Sequence, residues 1–187
     1  RDVQLIREIV HTKLNLEMAI NVDVIKKALQ ILPDQVTLVP EKRQEITTES
    51  GLDCLANKEQ LKNTIASFKA KGIIVSLFID PELDQIRLSK ELGADFVELH
   101  TGAYANTKTE KEAHFEFEKI RVAGELCTEL GLGLNAGHGL TFTNIFPFLA
   151  LPNLHEVNIG HSIISRAVFT GLTKAVSDMK AILSLGK

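Results

Sequence analysis

Short β-rich runs alternate six times with longer amphipathic segments, and this alternation restricts the fold of the chain more than any other feature. Strands are expected at 13–19, 35–39, 73–79, 96–100, 132–136 and 155–159. Helices are expected after each of them, at 22–32, 58–71, 81–92, 112–130, 142–149 and 162–185. Gly, Pro, Asn or Asp marks the joins. Successive βα units predict a parallel sheet whose right-handed crossovers lay helices against it.

Side-chain parity separates an open doubly wound sheet from a closed barrel. In Leu14-Asn15-Leu16-Glu17-Met18 the polar residues share one face, and Glu98 and His100 do the same around Leu99. An open sheet buries both faces under helices and favours continuous apolar strands, whereas a barrel turns polar groups inward at its top. The reading is therefore α/β, a TIM (β/α)8 barrel. Six units fall two short of eight, and 187 residues fall short of the roughly 250 of a usual barrel. Val3, Ile6 and Val10 stand at helical spacing with no cap before them, like the inside of a helix. The expectation is one barrel domain over 1–187 with its N-terminal strands missing. No Ser/Gly-rich linker or charge block divides it.

Parallel strands open onto one face, so polar groups at their ends converge. Glu17, Glu41, Asp80, His100, His138 and His161 all stand at such ends. The NAGHG run (135–139) and the NIGHS run (158–162) each set a glycine beside a histidine before an expected helix, where free N–H groups hold phosphate. A small phosphorylated substrate follows. The net charge of −3 gives no broad basic surface for nucleic acid. Cys54 and Cys127 lack CxxC spacing, so no disulfide framework or cysteine zinc site is indicated, and a reducing cytoplasm is expected. No apolar run reaches membrane-spanning length, and the first residues lack a signal-peptide core.

Each candidate has a plainer alternative. Glu17, inside an apolar strand, reads as a general base raised in pKa by burial, or as one partner of a structural ion pair. His138, between Gly137 and Gly139, reads as a general acid or base, or as part of a tight turn. Gly160 and His161 read as a phosphate site in the last βα loop, or as the approach to a helix capped by Ser162. Glu98 and His100 face the same way, which suits proton shuttling better than metal binding, since no ligand spacing supports a metal. The loop PEKRQEITTESG offers Lys42, Arg43, Thr47 and Thr48 to a substrate, or only solvated charge.

Six blocks carry a family resemblance: NLEMA (15–19), LVPEKRQEITTE (38–49), VSLFID (75–80), ELHTGAYA (98–105), NAGHGLT (135–141) and NIGHSIISRAVFTGL (158–172). On them the chain resembles the pyridoxine 5'-phosphate synthases, the ring-closing enzymes of vitamin B6 synthesis. The resemblance implies a (β/α)8 barrel that condenses 1-deoxy-D-xylulose 5-phosphate with 3-amino-2-oxopropyl phosphate, releasing inorganic phosphate and water. It implies no metal or organic cofactor, and an assembly of several barrels, up to an octamer. By motif position, Glu17 matches the acid/base glutamate, His138 the proton donor and Glu98 a pocket glutamate. Thr47 matches a contact to the deoxyxylulose phosphate, and Gly139, Gly160 and His161 match the amino-ketone phosphate site. The family's Asn-x-Asp-His motif and its further histidine and arginine contacts, carried on its first two strands, have no equivalent in these residues. A different phosphosugar enzyme on the same barrel is the nearest rival, but a Schiff-base aldolase would want a strand-borne lysine and only Lys13 is offered. A non-catalytic phosphometabolite binder is the rival from another class.

Overall fold

The computed structural model describes residues 1–41 and 50–186, so Lys42, Arg43, Thr47 and Thr48 lie outside the described residues. The chain is α/β with six parallel strands, and it divides into two compact units, Arg1–Glu98 and Leu99–Lys187. The first holds α1 (Asp2–Ile9), β1 (Asn15–Ala19), α2 (Val22–Ile31), β2 (Gln35–Val39), α3 (Lys58–Lys69), β3 (Ile74–Ile79) and α4 (Leu83–Leu92). Strand β4 (Phe96–His100) carries the boundary. The second unit continues with α5 (Gly102–Ala105), α6 (Glu110–Glu129), β5 (Gly133–Gly137), a 3-10 turn (Phe146–Ala150), β6 (Leu154–Asn158), α7 (His161–Thr170) and α8 (Leu172–Leu183).

In the first unit β1 pairs with β2 and β2 with β3, all parallel. Two aspartates standing just before strands help to set the register. Asp34, ahead of β2, accepts the Leu14 N–H at 2.8 Å and an Arg7 guanidinium at 2.5 Å, which ties α1 to the strand start. Asp95, ahead of β4, accepts the Val75 N–H at 3.0 Å, returns its own N–H to the Val75 carbonyl at 2.9 Å, and pairs with Lys69 at 2.6 Å. A backbone N–H at the start of a strand has no ladder partner on one side, and a short carboxylate supplies it.

The parity expectation holds within each unit. Val36, Leu38, Val75, Leu77, Ile79 and Val97 alternate along the first unit's strands and are fully buried, and α3 covers β3 with Leu61, Ile65 and Phe68. The other parity carries the strands' polar residues, Asn15, Glu17, Gln35, Thr37, Ser76 and Glu98, together with apolar ones such as Val39 and Phe78. The register aligns Glu17 with Thr37 and Thr37 with Ser76, and Thr37 donates its hydroxyl proton to Asn15 at 3.0 Å. In the second unit Leu134 and Ala136 are buried on one face of β5, while Asn135 takes the opposite parity, beside Glu156 of β6.

Three expected helices differ. The segment expected as helix at 142–149 is a 3-10 turn, because Pro147 removes a helical donor and Thr141 and Asn144 close a local turn, with the Asn144 side chain accepting the Thr141 N–H at 2.7 Å. Phe148 of that turn is buried among Tyr104 and Phe117, with ring centroids 5.3 and 5.4 Å away. The helix expected over 162–185 is broken at Gly171, whose φ of 80° and ψ of 151° no L-residue adopts readily. Arg166 and Asp178, 2.6 Å apart, then bridge α7 to α8. The helix α6 begins two residues early, at a capping box in which Thr109 accepts the Glu112 N–H and the Glu112 carboxylate accepts the Thr109 N–H.

Candidate active site

The second unit builds its site on the turn after β5. His138 has a φ of 78°, in the left-handed region that non-glycine residues rarely enter. Gly139 follows it at a φ of 81°, and a Cβ there would lie 2.5 Å from the Ala105 Cβ, so only glycine fits. The turn is clasped by the residues that close β4 and form α5. The Thr101 N–H donates to the Gly137 carbonyl at 2.9 Å, and the Thr101 hydroxyl reaches the carbonyls of Gly137 and His138. The Tyr104 hydroxyl donates to the Asn144 carbonyl at 2.7 Å, and the Asn144 amide donates to the Gly139 carbonyl at 3.0 Å. Burial pushes the Tyr104 hydroxyl pKa up, which keeps it a donor.

Two imidazoles meet there. His100, buried at the end of β4, lies with its ring centroid 5.0 Å from that of half-buried His138, the planes tilted by 60°. A Cβ on Gly102 would fall 2.5 Å from His100 Nε2 and 3.3 Å from His138 Cδ2, so a glycine at the start of α5 makes room for both rings. Asn135, two residues before Gly137, is fully buried, and neither amide atom has a hydrogen-bond partner among the described residues.

The last register pair of β5 and β6 sets Gly137 beside Asn158, so the loops bearing His138 and Gly160 leave neighbouring strand ends. Gly160 is the N-cap of α7, with no side-chain cap, and His161 is the first helical residue. Ser162 therefore lies inside the helix and is not its cap. Gly160 and His161 are exposed, and a Cβ on Gly160 would meet nothing within 4 Å. Packing does not require that glycine, whereas close approach of an anion to the helix N-terminus would use it.

The first unit carries Glu17 and Glu98. Glu98 is buried, with 3% of its surface exposed. Glu17 is exposed, which corrects the expectation of a carboxylate buried in an apolar strand: the residues that share its face of β1, Asn15 and Ala19, are only half-buried and its register partner is a threonine. Other strand-end carboxylates serve the scaffold. Glu41 accepts from Asn21, the N-cap of α2, at 3.0 Å, and Asp80 accepts the Gly51 N–H at 3.1 Å. Thr47 lies outside the described residues. Sequence reasoning assigned no role to Thr101, Gly102 and Asn135; each stands within three residues of a named histidine, but only the folded turn shows which carbonyls and rings they touch.

Both cysteines are buried, and burial raises the Cys54 thiol to about 11 and the Cys127 thiol to about 12. They are packing residues and not nucleophiles.

The family model described as "Pyridoxal phosphate biosynthesis protein PdxJ" matches residues 1–185. A pyridoxine 5'-phosphate synthase of Geobacter sulfurreducens is 52% identical over 179 residues, covering 96% of this chain and 75% of its own length. That of Trichlorobacter lovleyi is 51% identical over 183 residues, covering 98% and 77%. Among solved structures, the Amycolatopsis orientalis BexX/CysO complex superposes with a TM-score of 0.59 at 16% identity, over 89% of this chain and 59% of that one. That likeness concerns the fold alone.

Proposed function

Because the chain belongs to the PdxJ family of vitamin B6 biosynthesis enzymes, we propose that it condenses 1-deoxy-D-xylulose 5-phosphate with 3-amino-2-oxopropyl phosphate to pyridoxine 5'-phosphate. The reaction adds an amine to a carbonyl, loses water, enolises and expels phosphate, and every step moves a proton. His138 donates protons to the departing oxygens, and Glu17 exchanges them at the carbon and nitrogen centres. Its exposure suits a carboxylate that must meet a substrate. Glu98 lines the pocket. Gly139, Gly160 and His161 hold the phosphate of the amino ketone, aided by the uncapped N–H groups of α7. Thr47 contacts the other phosphate. The working form is a closed (β/α)8 barrel in a cytoplasmic homo-oligomer of up to eight subunits.

The observation that carries this reading is the backbone of His138, held left-handed between two glycines by hydrogen bonds from Thr101 and Asn144 to the carbonyls of the turn. Residues in such conformations cluster where function over-determines them. His138→Asn in the full-length protein should leave phosphate-substrate binding within about threefold and lower turnover about 10²–10⁴-fold, the range for general acid–base groups. Turnover equal to wild type would remove His138 from the mechanism.

A further inference from the structure

We propose that Thr101 is a positioning residue for His138, holding the histidine's backbone so that its imidazole is presented to the substrate. The inference rests on the reading of His138 as the proton-transferring group. Thr101 is fully buried and touches no reacting atom in that scheme; it acts through the carbonyls of the turn.

The geometry is specific. A threonine hydroxyl has one proton, and here it lies 2.9 Å from the Gly137 carbonyl and 2.5 Å from the His138 carbonyl, so one donor spans consecutive peptides. The Gly137 carbonyl also receives the Thr101 N–H at 2.9 Å, so that peptide stays anchored if the hydroxyl is lost. The His138 carbonyl receives the hydroxyl directly, so the tie between Thr101 and the histidine's own peptide is made by the side chain. A φ of 78° is a strained backbone conformation for a non-glycine residue and persists only where its surroundings hold it. Without the hydroxyl, the peptide after His138 can rotate toward the commoner basin and carry the imidazole away.

Packing supports the same assignment. On the ring side, His138 lies against His100 and Gly102, where a Cβ on Gly102 would fall 2.5 Å from His100 Nε2 and 3.3 Å from His138 Cδ2. Thr101 thus fixes the backbone end of the histidine while the residues on either side of it in sequence fix the ring end. The turn and its clamp lie within one compact unit.

Thr101→Val keeps the β-branched shape and removes only the hydroxyl; Thr101→Ser keeps the hydroxyl and removes a methyl. In the full-length protein, Thr101→Val should lower kcat about 10–100-fold, the scale of a misplaced catalytic group, with KM for both substrates within about twofold. Thr101→Ser should recover kcat to within about threefold of wild type. The ring ¹⁵N resonances of His138 should move in the valine variant and return in the serine variant, a signature that a purely structural threonine would not give. Wild-type kcat in Thr101→Val, while His138→Asn is impaired, would overturn this inference and leave the role of His138 standing. Wild-type turnover in His138→Asn would instead defeat the parent reading. If Thr101→Val does not fold, Gly102→Ala presses on the same rings from the other side: a fall in kcat at unchanged KM supports the mounting, and unchanged kcat overturns it.

Discussion

Asn135 is fully buried with neither amide atom bonded among the described residues, and such a group destabilises a fold by about 1–3 kcal/mol. Leucine has nearly its shape. Asn135→Leu should therefore raise the unfolding midpoint, measured by thermal or denaturant melts, while turnover falls; a lower midpoint would show that the amide is satisfied in solution. The thiols give a second prediction at this scale. Burial raises Cys54 to about 11 and Cys127 to about 12, above the ordinary thiol value, so the native state keeps its protons where the unfolded chain loses them. Their contribution is whole below about pH 8.5, the free-thiol value, and is lost as pH rises through the folded pKa values. Native protein should resist alkylation at pH 8 and become progressively easier to denaturate above pH 9; fast native alkylation would contradict the burial. The tight turn around His138 was legible in its flanking glycines. The exposure of Glu17 was not, because periodicity reports which face a residue takes and says nothing of how deeply that face is covered.

At the level of elements, strands were read more faithfully than helices. β2 and β4 have the expected bounds, with Asp34 and Asp95 standing at their entrances to bond neighbouring strand backbone. The short helix α5 was missed: four residues give no period, and its Gly102 is there for two histidine rings. The break between α7 and α8 turned on one glycine whose backbone angles lie beyond the reach of a hydrophobic pattern. Two predictions follow from the ties between elements. The Leu14 N–H, foremost, and the Arg7 guanidinium hold the Asp34 carboxyl below its usual range, so its contribution is present above about pH 3.9 and lost as pH falls through the folded value. Since α1 has no buried residue, Asp34→Asn should quicken amide exchange in α1 first and flatten the acid limb of the stability profile; unchanged exchange in α1 would show another anchor. Phe68, fully buried between α3 and the sheet, should cost about 3–5 kcal/mol on truncation to alanine, read from denaturant midpoints.

For the whole molecule, the alternation of strands and helices brought the α/β class within reach of the sequence, and family membership rests on a match over residues 1–185. No described helix is long and apolar enough to cross a membrane. Apolar side chains remain exposed on α7, with Val168 at 78% and Phe169 at 90%, as the proposed homo-oligomer would permit. Light scattering of the full-length protein should return a multiple of the monomer mass, and a monomer at micromolar concentration would contradict the assembly. The central claim is tested most directly by incubating the full-length protein with both phosphorylated substrates and following pyridoxine 5'-phosphate and inorganic phosphate together. The account predicts that they appear in equal amounts and that both fall in Glu17→Gln and His138→Asn. Binding of the substrates with neither product formed, or turnover indifferent to both substitutions, would contradict it.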